Sequence, residues 1–504
     1  MAIFTLFVVS GVRGVDFGVH WDEAEWQIKP VREMVSTGLL MPRATVYPAF
    51  SKWLTFAQTF PVAVKVAVKA KGDPRAIQNA MLAKVNDPGF LLRTRRLYVV
   101  FSALAIILVW AAVLAMRRPW WEAVAAAACV GLSWEYSYHS RWVATDCLVV
   151  VFSALTLLLL GVYFRNGRLG WLYAAALAAG FGTGAKYPGL VLLVPVVLAG
   201  ALTLPFRPLR GQFKRMVALC ALGFVAYLVT TPATVFEPFT FVEMYRWIAQ
   251  YYAQGHWGYS VTGPVMHVRL VLTYFAVAFF SPYPAIAVIL FACAVAGGVF
   301  LVRSDRRLGA VLVTFPIAFL LLFCGRYRAM IARNYLLVVP FLAALAARGL
   351  SEIGARLPRR ELRWGLAGLA VAAFVVGGVW MTAAGESIRH PDSNKDVQRA
   401  LKYVSKHPGT RFSLSPKVKS IAQAQKLAIP ANAQTDAGAE QAVFFLRAEG
   451  GDPFRRSSND VRLIKAVFGP RDVNLNWYTT WDASDHVVVM RLDKAKWAGL
   501  SIAK

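Results

Sequence analysis

The chain has 504 residues, of which 57% are apolar and 16% charged, with a formal net charge of +28 from 55 basic and 27 acidic residues; the mean hydropathy is +0.49. A soluble domain usually carries about 25% charged and about 45–50% apolar residues, so the composition disfavours a soluble enzyme and excludes a disordered, collagen-like or disulfide-scaffold chain. In so apolar a chain the basic excess points to loop lysines and arginines that meet lipid phosphates, and not to nucleic acid.

In chain order, the first apolar run, Met1–Val12, is too short to span a bilayer core of about 30 Å. It reads as part of a helix rather than a signal peptide, because no basic residues precede it and no small-residue cleavage site follows before Trp21. Next comes Trp21-Asp22-Glu23-Ala24-Glu25-Trp26, with three carboxylates within four residues. Adjacent carboxylates repel and partial burial disfavours ionisation, so one of Asp22, Glu23 and Glu25 could be tuned as a general base. The alternative is a solvated helix start whose acids favour the helix dipole. Residues 61–96 carry Lys65, Lys69, Lys71, Arg75, Lys84, Arg93, Arg95 and Arg96 and read as an amphipathic surface segment.

Further apolar runs fall at about 97–116, 119–137, 143–164, 171–185, 187–204, 216–236, 284–302, 308–324, 335–349 and 364–382. Basic residues cluster in alternate loops, at 117–118, 165–168, 207–215, 303–307 and 348–363; these hold 16 basic residues against Asp305, Glu352 and Glu361. The positive-inside rule places these loops in the cytoplasm. About eleven spans then put the N-terminus inside and the C-terminus outside. The outer face receives the loops at about 13–96 and 237–283 and the tail. Residues 264–281, with Pro264, His267, Arg269 and Pro282 nearby, read as interfacial or re-entrant, since a full span there would reverse Arg303.

Outer span ends hold the remaining candidates. Ser140–Asp146 places Arg141 and Asp146 where a span begins: they either pair with each other or line a site. Gly182-Thr183-Gly184-Ala185-Lys186-Tyr187-Pro188-Gly189 is not a Walker A loop. Its glycines and proline suit a hairpin turn, and Lys186 is either a phosphate ligand or a snorkelling lysine. His256 and Tyr259, in Gly255-His256-Trp257-Gly258-Tyr259, suit a sugar or belong to an interfacial aromatic belt. Arg326, Arg328 and Arg333 suggest an anion on the outer face, either a specific phosphate or lipid headgroups. Cys129, Cys147, Cys220, Cys293 and Cys324 show no metal-site spacing, and whether a divalent metal is needed stays open. From about 383 onward, short strands at Arg411–Ser415, Ala442–Arg447 and His486–Leu492 alternate with helices at Asp396–Lys406 and Lys417–Lys426. This predicts a small soluble α/β domain over 383–504, after a mainly α transmembrane domain over 1–382.

Taken together, these blocks resemble the C-type polytopic membrane glycosyltransferases, the group of the protein O-mannosyltransferases and the lipid A aminoarabinose transferases. The resemblance covers about residues 15–350. It runs through WDEAEWQIKPVREMVSTGLLMP with VYPAFSKWL, then SRWVATD, GTGAKYP and RNYLLVVP. Four departures stand out: Val46-Tyr47-Pro48 replaces a Glu-Lys-Pro turn, Glu25 replaces an arginine, Ala185 stands where threonine is usual, and Asn334 is inserted after Arg333.

The resemblance implies a phospholipid carrier-dependent enzyme of the bacterial cytoplasmic (inner) membrane. It would move one sugar, with inversion, from a polyprenyl-phosphate donor to the hydroxyl of an acceptor glycan, lipid or protein on the periplasmic side. Asp22 would be the base, and Glu23 and Asp146 would orient it or the acceptor. Arg141, Lys186, Arg326, Arg333 and Tyr47 would meet the donor phosphate or lipid, and Trp26, His256 and Tyr259 the acceptor or sugar. With the Glu-Lys-Pro lysine missing, part of the phosphate-binding charge must come from elsewhere. Two other classes compete: a secondary transporter using boundary carboxylates, which fits poorly with acids clustered at the outer boundary, and a non-catalytic protein binding lipid-linked sugars.

Overall fold

The computed structural model describes residues 1–13, 15, 23–39, 41–43, 46–203, 209–255, 261–281, 284–389, 393–434, 438–445, 461–468, 471–473 and 487–492. Of the expected site residues, Asp22, His256 and Tyr259 lie outside the described residues.

The architecture is mainly helical. In lipid a backbone must satisfy its own polar groups, so apolar runs become helices. Among the described residues, seven helices are long and apolar enough to cross a membrane: Gly89–Ala115, Thr145–Asn166, Gly211–Thr230, Ala285–Ser304, Arg306–Arg326, Ala332–Arg356 and Arg360–Val379. Ala2–Arg13, Leu169–Ala185 and Tyr187–Thr203 are apolar but shorter. The run expected at 119–137 is broken. Trp120–Gly131 stops at Leu132, and the Ser133 side chain accepts from the Tyr136 N–H to cap a new helix, Trp134–His139. Hydropathy registers the apolar content of this run but not the cap that divides it. Pro264–Tyr274 is also short and continues as a π-helical turn, Phe275–Phe280, before Ser281.

Close helix approach depends on small residues. A Cβ on Gly297 would overlap the Leu345 carbonyl, and one on Gly349 the Cys293 carbonyl. The two glycines therefore let Pro284–Ser304 and Val339–Arg356 pack backbone to backbone. One end of the bundle is basic: Arg118, Glu122, Asp305, Arg348 and Glu352 lie within electrostatic reach of one another there. Arg348 bonds Glu122 at 3.1 Å and also pairs with Glu352. The site described below is at the opposite end.

At that opposite end, the segment after the first helix is folded. Lys29–Thr37, Phe50–Phe56, Phe60–Lys69 and Pro74–Asn86 gather around Val31, Met34, Val35, Phe56, Met81, Val85 and Phe90. Phe60–Lys69 buries none of its residues, as expected for a surface helix. Arg95 corrects the reading of 61–96 as a surface segment throughout: it lies in Gly89–Ala115 and is 1% exposed.

Beyond residue 393 a five-stranded sheet has the order β1-β2-β5-β3-β4, with β1 Phe412–Leu414, β2 Gln441–Phe445, β3 Val461–Phe468, β4 Arg471–Val473 and β5 Val487–Leu492. β1 and β2 are parallel, Phe412 opposite Gln441, and the remaining pairs are antiparallel. Helices Ser393–Ser405 and Pro416–Ala424 lie beside it in sequence, around a core that includes Val397, Leu401, Phe412, Val418 and Val443.

Candidate active site

The first part of the site is a buried ion pair. Glu23 precedes a π-helical turn, Ala24–Ile28, and its side chain is 0% exposed. Arg95 Nε donates to Glu23 Oε1 at 2.8 Å and Nη2 to Oε2 at 2.5 Å. Arg95 Nη1 reaches the Val15 carbonyl at 2.6 Å, and the Val143 N–H donates to Glu23 Oε1 at 2.7 Å. Bidentate arginine–carboxylate geometry fixes both groups. Three segments distant in sequence thus meet at one carboxylate: the start of the first loop, the Gly89–Ala115 span, and the turn before Asp146.

The 46–56 stretch is anchored next. Trp53 Nε1 donates to the Thr230 carbonyl at 2.9 Å, and the Ala49 N–H to Thr231 Oγ1 at 3.2 Å. Ser51 Oγ donates to Gln27 Oε1 at 2.6 Å, and Tyr98 OH to the Ser51 carbonyl at 2.7 Å. Tyr47 is half-buried, and its carbonyl accepts from Lys52 Nζ at 2.8 Å. Lys52 is 0% exposed, and burial pulls its ammonium down from 10.5 to about 7. Trp26 is half-buried on the π-helical turn.

The second part centres on Asp146, in the first turn of Thr145–Asn166. Lys186 Nζ donates to Asp146 Oδ1, and to Asn334 Oδ1 at 2.6 Å. Arg333 Nε lies 3.7 Å from Asp146 Oδ2. Asn334 Nδ2 donates to Tyr252 OH at 3.0 Å, and the Tyr252 carbonyl takes the N–H groups of Arg328 and Ala329 at 3.0 Å. Lys186 is placed by its neighbours. It is an extended residue after Leu169–Ala185, and a Cβ on Gly189 would overlap the Gly182 carbonyl. The glycine-rich stretch therefore acts as a tight joint that turns one lysine inward. Two cations face one carboxylate, leaving a positive site in a largely water-excluded place.

Several expectations are sorted by this geometry. Asp146, Lys186 and Arg333 come together, and Lys186 is an interior ion-pair partner rather than a snorkelling lysine. Asp146 takes Lys186 and Arg333, whereas the 0% exposed Arg141 turns Nη2 to Ser10 Oγ at 3.3 Å; burial lowers its guanidinium to about 10. The cluster Arg326, Arg328 and Arg333 divides. Arg326 and Arg328 are exposed, with Arg326 stacked 5.8 Å over Tyr327, and only Arg333 reaches Asp146. Glu23 is held by Arg95 and Val143 rather than lying on a solvated helix start.

Sequence reading missed Arg95, Lys52, Asn334, Tyr252 and the group Glu135, His139 and Tyr274. Asn334 read as an insertion, yet it bridges Lys186 to Tyr252. Glu135 and His139 had a signal that passed unused, because charge inside an apolar stretch asks for a partner. Among the described residues, no group of three or more His, Cys, Asp or Glu stands together as a metal cage.

Residues 90–236 match the family model described as dolichyl-phosphate-mannose-protein mannosyltransferase. The chain resembles the polytopic membrane glycosyltransferases. The matched stretch contains Arg95, Arg141, Asp146 and Lys186. Solved structures are similar over most of the chain. ArnT from Cupriavidus metallidurans bound to undecaprenyl phosphate is 17% identical, with 100% of this chain and 98% of that one covered and a TM-score of 0.46. An Archaeoglobus fulgidus oligosaccharyltransferase tethered with an acceptor peptide is 14% identical, with 96% and 77% covered and a TM-score of 0.46. The arabinofuranosyltransferase AftD from Mycobacteria is 12% identical, with 97% and 39% covered and a TM-score of 0.46. No curated protein matches the chain in sequence.

Proposed function

We propose that the chain is an inverting glycosyltransferase that moves a monosaccharide from a polyprenyl-phosphate donor to an envelope acceptor hydroxyl. In this reading it works on the outer face of the bacterial cytoplasmic membrane, and the tail from 383 forms an outer domain. The observation that carries the reading is the convergence at one end of the bundle. Glu23 from the first loop reaches the Val143 N–H, three residues before Asp146, while Asp146 gathers Lys186, Arg333 and, through Lys186, Asn334. The matched family's description names a dolichyl-phosphate-linked sugar, a donor of the same class.

The chemistry follows from the charges. Asp22, next in sequence to the anchored Glu23, takes the proton of the acceptor hydroxyl. The oxygen attacks the anomeric carbon opposite the phosphate, and the C–O bond breaks with its electron pair going to polyprenyl phosphate. The leaving group is weakly basic, so cations rather than a protonating acid stabilise it. Lys186 and Arg333 supply that charge. Lys52, bonded to the Tyr47 carbonyl, restores a cation at the turn where the Glu-Lys-Pro lysine is missing. Glu23 positions the first loop.

The test is release of polyprenyl phosphate by purified protein incubated with a panel of radiolabelled polyprenyl-phosphate monosaccharides, beside Asp22→Asn. Release by the wild type, lost in a folded Asp22→Asn that still binds donor, is expected. Wild-type turnover in Asp22→Asn would overturn the assignment of the base.

A further inference from the structure

Arg333 and Asn334 reach Asp146 and Lys186 from the outer connection that follows Arg306–Arg326. That helix gives way to an extended Tyr327, and the connection runs into a 3-10 turn, Ala332–Val338. A short extended link makes few backbone bonds of its own, so what it is tied to sets its shape. His267, on Pro264–Tyr274, is 0% exposed and takes no part in the reaction above. It bonds both ends of the connection. Its Nδ1 lies 2.9 Å from the Tyr327 carbonyl, and its Nε2 lies 2.6 Å from Tyr335 OH.

The chemistry of the imidazole suits a clasp. A carbonyl can only accept, so Nδ1 carries a proton and donates to Tyr327. A hydroxyl can give or accept, so the Tyr335 bond forms whether or not Nε2 is protonated. Tyr335 is 1% exposed, and Phe275 and Phe319 meet its ring edge to face, with centroids at 6.3 and 5.7 Å. Its hydroxyl is therefore held toward His267. Tyr252, on the preceding outer helix Pro238–Gln254, repeats the pattern. Its carbonyl takes the Arg328 and Ala329 N–H groups, and its hydroxyl takes the Asn334 amide. Two residues of the second outer loop thus each tie the start of the connection to its end. This closure leaves Arg328 exposed while Arg333 and Asn334 face Asp146 and Lys186.

We infer that His267 is a positioning residue for the donor-phosphate site: by closing the 327–335 connection it fixes Arg333 and Asn334, and through Asn334 the Lys186 ammonium, where the phosphate is gripped. This rests on the donor class proposed above. His267 acts through Tyr335, the neighbour of Asn334 in sequence, and not on the reacting atoms. An untied connection would be ordered only as the phosphate arrives, at a cost to affinity, whereas a closed one presents its cation beforehand.

The experiment measures the Kd and the number of binding sites for a radiolabelled polyprenyl phosphate on purified protein in detergent. His267→Ala is expected to raise Kd about tenfold with the number of sites unchanged; tenfold is about 1.4 kcal/mol, the scale of one or two neutral hydrogen bonds. In that background Asn334→Ala should add less than about twofold, because its amide is already out of place. His267→Asn, which still offers an N–H to the Tyr327 carbonyl, should fall between the wild type and His267→Ala. Tyr335→Phe, which keeps the ring and removes only the hydroxyl, is the milder variant should His267→Ala not fold, with Kd raised about threefold. Fewer sites at the wild-type Kd would make His267 a structural residue and overturn the inference. An unchanged Kd in these variants, or losses from His267→Ala and Asn334→Ala that simply multiply, would overturn it as well and leave the donor class standing. A wild type that binds no polyprenyl phosphate would overturn the donor class and this inference with it.

Discussion

The Glu23–Arg95 pair offers the sharpest energetic test, because both side chains are buried and bonded to each other twice. Glu23 accepts two bonds from Arg95 and one from the Val143 N–H, and Arg95 gives a third to the Val15 carbonyl. With side chains 0% and 1% exposed, neither charge has water to fall back on. Breaking a buried pair by removing one partner costs about 3–5 kcal/mol, since the other charge is left uncompensated. Arg95→Met and Glu23→Leu should therefore each lose about that much. In the double variant this pair of charges is gone, and among the described residues the penalty falls to the Val143 N–H and the Val15 carbonyl, about 1–3 kcal/mol each. The double variant should be no worse than either single one, with a coupling of several kcal/mol. SDS-driven unfolding in mixed micelles, followed by tryptophan fluorescence, would measure the cycle. Additive losses would refute the claim that this pair clamps the first loop onto the span.

Other consequences are as direct. Lys186→Met should abolish donor turnover and destabilise the fold by about 3–5 kcal/mol, because among the described residues Asp146 loses its hydrogen-bonded cation and keeps Arg333 at 3.7 Å; adding Asp146→Asn should recover stability in the same unfolding assay without recovering turnover. Asn334→Ala, which removes the bridge between Lys186 and Tyr252, should raise the donor KM and lower stability by about 1–3 kcal/mol, the Lys186 ammonium being left one acceptor short. Lys52 has its folded value pulled down to about 7, so the unfolded chain binds the extra proton between about pH 7 and 10.5. Stability should therefore rise through that window, by at most about 1.4 kcal/mol per pH unit, and a flat response relative to Lys52→Met would contradict the burial argument. Phosphate binding favours the ammonium, so donor binding at pH 8 should take up protons, as calorimetry in buffers of different ionisation enthalpy would register. Gly349→Val should cost about 1–3 kcal/mol by overpacking against the Cys293 carbonyl, read as a lowered Tm.

What the sequence by itself determined is the membrane-spanning helical class and the location of Asp146, Lys186 and Arg333 at span ends. Hydropathy is additive along the chain, and charge in an apolar chain is costly enough to stand out wherever it occurs. Strand alternation likewise located β1, β2 and β5, because a period of two is a local property. Which charges meet was decided by the tertiary structure alone. Arg141 was the nearest cation to Asp146 in sequence, yet Lys186, 40 residues on, and Arg333 take that role. Arg95 looked like one more surface arginine until Glu23, 72 residues away, claimed it. Asn334 looked like an insertion until it bridged Lys186 to Tyr252. The physical reason is the same in each case. An ion pair or hydrogen bond acts over about 3 Å of space and has no period in sequence, so only the packing of the helices decides which side chains are brought within its reach.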